Sequence, residues 1–256
     1  MLGKLLKYEI PALGRKLVPL YIAWAAAAVF LGLMIGPLQY KSEFMVVISA
    51  LLYTGVATAI FVMAIVLIIQ RYKNSLLGEE AYFNMVLPVS ASQHIANKLI
   101  SALVWIILTG VAAFVTALII GLFGGAFFEF IHVDWNLLFQ HINGNAILLL
   151  IEILIAILVS AGKTVMQIYT AITIGHQAKS HTTLASIGAY IGVLICESLI
   201  GRLFVAIHPA SNLTSQIPDY TLFQMVMIPA ILVGVAVTVV YFLVCKILME
   251  KRLNLS

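Results

Sequence analysis

Six apolar runs, each close to or above the length that crosses a bilayer, constrain this chain more than any other feature of it. A hydrocarbon core about 30 Å thick takes about 20 apolar residues in a helix. The runs fall at about 18–36, 44–69, 99–123, 145–170, 183–207 and 222–248. Lipid offers the backbone no hydrogen-bond partner, so a continuous apolar run must pair its own N–H and C=O groups as a helix. A transmembrane barrel would instead alternate in segments of about ten residues. The expected fold class is therefore all-α: one polytopic membrane domain of six transmembrane helices over 18–256, preceded by an amphipathic inner-surface helix at 1–17. The chain is 63% hydrophobic and 9% charged, far from the roughly 25% charged residues of soluble domains.

Charge sets the expected orientation. Of the 14 lysines and arginines, only Lys41 and Arg202 fall on the outer side or half if the N-terminus is inside. Basic loops stay cytoplasmic, so both termini are expected in the cytoplasm of a multi-pass membrane protein. The pI near 9.0 is read as this topological bias and not as a nucleic-acid surface. In 1–17, Leu2, Leu5, Leu6, Ile10, Leu13 and Leu17 share one helical face while Lys4, Lys7 and Arg15 lie opposite. Pro11 is expected to kink or restart that helix. The first run is too long for a removable signal segment and lacks a small-residue cleavage pattern.

Several motifs dissolve on inspection. SAGKT at Ser160–Thr164 resembles part of a phosphate loop, but Ile157 occupies the first glycine position and the flanks are a continuous apolar helix. No nucleotide site is expected in this chain, and no catalytic residue, cofactor or metal. His94, His132, His141, His176, His181 and His208 sit in loops or near span ends without the i,i+4 spacing of a helical metal pair. Cys196 and Cys245 fall in spans near opposite faces, which speaks against a disulfide. Glu79-Glu80 resembles the paired acids of intramembrane prenyl-protein peptidases, but Asn84 stands where that chemistry wants arginine.

Charges inside spans carry more information, because each costs about 2.5–3.5 kcal/mol even on the insertion scale. These are Glu152, Lys163, Glu197 and Arg202. Glu152 and Arg202 come out at similar depths, each about 7–11 Å below the outer boundary. They are expected either to pair, with Glu197 close by, or to snorkel separately. Lys163 lies deeper toward the cytoplasm and either lines a vestibule or snorkels inward. Gly188 and Gly192 form a small-residue stripe for close helix packing, within the chain or across a dimer seam.

The longest polar stretch is Arg71–Lys98. Asn74–Leu87 has helix-forming composition, Pro88 stops it, and Ser90 or Ser92 can cap the helix entering the third run. An apolar and aromatic patch there wants either a partner or the headgroup region. The string LGEEAYFNMVLPVSASQHIANKL (Leu77–Leu99) and the opening MLGKLLKYEI resemble permease subunits of bacterial ABC transporters of the six-span exporter class, which implies the bacterial cell membrane as the location. Outside these two strings the resemblance is one of architecture.

The resemblance implies a coupling helix around Leu77–Leu87 that seats in a cytoplasmic ABC ATPase subunit, with Leu77, Glu79, Glu80, Tyr82, Phe83 and Leu87 at the contact. It implies that ATP and Mg bind on that partner, that a second permease, identical or not, completes the pathway, and that the cargo is amphipathic or hydrophobic, such as an antimicrobial peptide, a drug or a lipid-like molecule. Two other functions stay open: an ion-driven secondary transporter using Glu152, Glu197 and Lys163 as a relay, and an intramembrane peptidase.

Overall fold

The computed structural model describes residues 2–36, 43–78, 89–125, 144–178, 181–207 and 219–252. They form six helices, α1 (Leu2–Ile35), α2 (Glu43–Leu76), α3 (Ala91–Gly124), α4 (Gly144–Gly175), α5 (Thr182–Ile207) and α6 (Asp219–Arg252), with no strand among the described residues. All six contain a segment long and apolar enough to cross a membrane.

The helices outrun their apolar cores where hydropathy meets charge but no stop signal. α2 continues past Arg71 to Leu76, where Leu77 N–H still donates to the Lys73 carbonyl (3.0 Å) and Gly78 follows. α3 begins at Ala91, eight residues before its apolar run and directly after Ser90, one of the two expected caps: the Ser90 carbonyl receives the N–H groups of Gln93 (2.9 Å) and His94 (3.2 Å). Ser90 is thus the capping position, and its hydroxyl pairs with that of Ser92 at 3.0 Å. A charged residue does not end a helix; the cap does.

α1 departs from expectation. It runs unbroken through Pro11 and Pro19, so there is no restart at Pro11, and residues 2–17 continue into the first apolar run as one 34-residue helix. A proline inside a helix costs about 3 kcal/mol, and tertiary packing offsets it here. The second half of the leucine face is turned onto protein: Leu13 and Leu17 are buried with Ala64 and Leu67 of α2 and Trp105 of α3, and Ile10 packs against them. The Trp105 indole N–H donates to the Ile10 carbonyl at 3.3 Å.

Contacts divide the chain into two compact units. The first comprises α1, α2 as far as Arg71, and α3 from Ile100. Its apolar interior is pinned by polar pairs across helices, Tyr21–Thr109 (2.7 Å) and Tyr53–Thr116 (3.0 Å), and by Trp24 set edge-on to Phe61. Gly32 lets α1 approach α3 closely, since a Cβ there would lie 2.7 Å from that of Phe123. The second unit comprises the last turns of α2, the first turns of α3, and α4 to α6. There α4 packs against both α5 and α6. At its end, Gly175 lies against the backbone of Ser186 in α5, where any side chain would collide.

Candidate functional site

The second unit holds all four intramembrane charges read from the sequence. Lys163 of α4 reaches Glu197 of α5, Nζ to Oε2 at 3.1 Å, and Tyr241 of α6 donates its hydroxyl to Glu197 Oε1 at 2.6 Å. Three helices therefore converge on one carboxylate. The Lys163 and Glu197 side chains keep 31% and 23% of their surface exposed, so the cluster opens to the outside of the unit.

Of the two arrangements open to Glu152 and Arg202, the ion pair does not form among the described residues. Glu152 Oε1 accepts the side-chain amide of Gln224 in α6 at 3.0 Å, and its second oxygen is buried without a partner among the described residues. Arg202 is exposed and enters no ion pair among the described residues. Equal depth brought the two charges to one level, but azimuth decides contact. Glu152, Lys163 and Thr170 fall within about 20° of one another on the wheel of α4 at 100° per residue. That stripe meets α6 at Glu152, both α5 and α6 through Lys163 and Glu197, and α6 again at Thr170, whose hydroxyl lies 3.3 Å from Cys245 Sγ.

Where α4 ends, α5 begins and α6 finishes, the unit is densest; this end, rich in lysine, is termed the basic pole. Tyr72 of α2 stacks on Tyr169 of α4, ring centroids 3.8 Å apart and 8° from parallel. The Tyr72 hydroxyl pairs with that of Thr173 at 2.8 Å. Tyr169 donates to the carbonyl of Lys98 in α3 at 3.4 Å. Both tyrosines are fully buried, as are Leu76, Ile95, Met166 and Cys245 of the same unit, and Cys245 Sγ lies 4.0 Å from the Tyr72 hydroxyl. The two strands of chain that lead into and out of segment 79–88 are thus clamped to α4 and α6.

His176 follows α4 directly. Burial, and then the charge of Lys73, hold its imidazole below the ordinary 6.5, and its Nδ1 is buried without a partner among the described residues. A depressed folded-state value means the unfolded chain binds more protons, so stability is full above 6.5 and falls as pH drops through the lowered value. Thermal midpoints measured from pH 7.5 down to 5 should decline over that window, and His176→Gln should flatten this part of the decline.

Of the coupling residues, Leu77 is half-buried at the end of α2, while Glu79, Glu80, Tyr82, Phe83 and Leu87 lie outside the described residues. Gly188 and Gly192 are exposed, and no atom of another element comes within 4 Å of a Cβ built on either. The close packing they were expected to allow within the chain is absent among the described residues. Sequence reasoning passed over Tyr241, Gln224, Tyr72 and Tyr169. Their one signal was hydrogen-bonding capacity inside apolar runs, which needs a partner when buried. Comparison with protein families, curated proteins and solved structures finds no match.

Proposed function

We propose that this chain is the transmembrane permease subunit of an ATP-driven exporter of the ABC class. It has no nucleotide site of its own in this reading, and a separate cytoplasmic ATPase subunit binds ATP and Mg. The observation that carries the proposal is the clamp at the basic pole. Segment 79–88 is tethered at both ends to helices that end in the Tyr72–Tyr169–Lys98 joint, so a push on the segment is passed into α4, and through Thr170 and Thr173 against Cys245 into α6. Packed interfaces of this kind convert a local shift into movement of whole helices.

The remaining support comes from the Leu77–Leu99 string and from the excess of lysine and arginine at the basic pole, which favours a cytoplasmic position for that pole. A second permease subunit completes the pathway, and the cargo is amphipathic. Purification of the full chain from its native membranes should bring down ATP hydrolysis. Tyr82→Ala and Phe83→Ala should each weaken the ATPase association about thirtyfold, the size expected for a buried aromatic anchor worth about 2 kcal/mol. Absence of co-purifying hydrolysis, together with unchanged transport in both variants, rejects the proposal.

A second reading draws on the Lys163–Glu197–Tyr241 cluster: an ion-driven secondary transporter in which Glu197 exchanges a proton. Uptake into vesicles that survives removal of ATP and stops when the proton gradient is collapsed selects it.

A further inference from the structure

We propose that the Lys163–Glu197–Tyr241 cluster is a binding site for the zwitterionic head of an amphiphile, one carrying an ammonium beside a phosphate or carboxylate. The amphiphile enters sideways, with its tails left in the apolar phase.

Depth comes first. At 1.5 Å per residue, Lys163 lies about 18 Å from the Gly175 end of α4, Glu197 about 22 Å from the Thr182 end of α5, and Tyr241 about 17 Å from the Arg252 end of α6. A hydrocarbon core of about 30 Å centred on α4 puts Lys163 about 9 Å inside it. Yet both charged side chains remain partly exposed, at 31% and 23%. Leu194 and Ile200, one turn to either side of Glu197, are 42% and 66% exposed. The cluster is thus a polar island with an apolar approach.

Hydrogen-bonding capacity comes second. An ammonium has three donors, and Lys163 spends one on Glu197. The other two have no acceptor among the described residues. Glu197 is held from its far side by Tyr241, so its Oε1 stays anchored if Lys163 swings away from Oε2.

Charge balance then selects the ligand. The ion pair is neutral as it stands. A ligand with net charge would leave one charge uncompensated in a poorly hydrated place, which is strongly unfavourable. A zwitterion opens the pair without that penalty: its anionic arm takes the Lys163 donors, its ammonium takes Glu197 Oε2, and net charge is conserved. Binding requires no particular energy source; describing the bound amphiphile as cargo rests on the permease reading above.

The full chain, purified in nonionic detergent, is titrated with dihexanoyl phosphatidylethanolamine while its thermal midpoint is followed, since a ligand of the folded state raises that midpoint. Saturable stabilisation is expected. Dihexanoyl phosphatidylglycerol, with the same tails and a net charge, should bind about tenfold more weakly or worse, as should phosphoethanolamine without tails. Lys163→Met and Glu197→Gln should each lose the response, and the double exchange Lys163→Glu with Glu197→Lys should regain it, which keeps the test decisive if a single variant fails to fold. Glu250→Gln, in an exposed i,i+4 pair with Lys246, should respond as the native chain does. Equal binding of the anionic lipid, equal binding of the tail-less head, or an undiminished response in folded single variants overturns the site. Lipid binding with no co-purifying ATPase and with transport unchanged in Tyr82→Ala and Phe83→Ala leaves the site standing and removes the permease reading; a co-purifying ATPase without lipid binding does the reverse.

Discussion

Tyr169→Ala is expected to lower the stability of the second unit by about 3–5 kcal/mol, the range for removing a fully buried aromatic ring. Tyr169 is 1% exposed and its ring lies flat on Tyr72, itself 0% exposed, so the void cannot fill from solvent. It would also strip the stacking partner from α2 and the hydroxyl from the Lys98 carbonyl. Tyr169→Phe keeps the ring and removes the hydroxyl, and should cost only about 1 kcal/mol. Leu199→Ala, at a position 54% exposed on α5, should cost little, about 0.5 kcal/mol or less. Reversible unfolding in mixed micelles measures all three. If Tyr169→Ala proves no worse than Tyr169→Phe, the stacked pair is not a structural joint, and the transmission route drawn through it fails as well.

The helices were legible in the sequence to the extent that apolar length dictates them. The ends of the runs near Phe123, Asn145 and Ile207 fall within about two residues of the observed boundaries, the usual scatter of such assignments, because glycine or polar loops close the runs there. Near Arg71 the helix outruns its apolar run because charge alone is no stop signal, whereas the start ahead of Lys98 is marked in the sequence by Ser90. The helix continues there until Gly78 on one side and Ser90 on the other, and the extra turns carry Tyr72, Ile95 and Asn97 into the buried end of the second unit. The unbroken α1 was illegible for a different reason. Proline reports a local preference, whereas the cover provided by Trp105 and Leu67 is a fact of tertiary structure. At the charged cluster, residue type and depth identified Lys163 and Glu197 as notable, but nothing local in the sequence gives the rotation of α5 about α4. That rotation pairs Glu197 with Lys163 and leaves Arg202 outside.

In the first unit the largest expected electrostatic effect lies at Glu9 and Arg71, where the guanidinium meets the carboxylate through two hydrogen bonds, Nε to Oε1 at 2.9 Å and Nη2 to Oε2 at 3.3 Å. The two side chains differ in exposure, 7% for Glu9 and 34% for Arg71, and this predicts unequal costs. Arg71→Met takes the forked donor from a carboxylate that has little access to water, and should destabilise by about 2–3 kcal/mol, below the range for fully buried pairs because Arg71 is itself partly wet. Glu9→Gln leaves an arginine that can turn outward, and should cost about 1 kcal/mol. The double variant should be less destabilised than the sum, with a coupling of about 1–2 kcal/mol. Raising the salt concentration should change these differences little, because screening acts on exposed charges and Glu9 is not one. Two equal, small costs that vanish in high salt would instead mean that the pair is an ordinary surface contact, and that apolar packing around Leu13 and Leu17 is the main hold on the first half of α1.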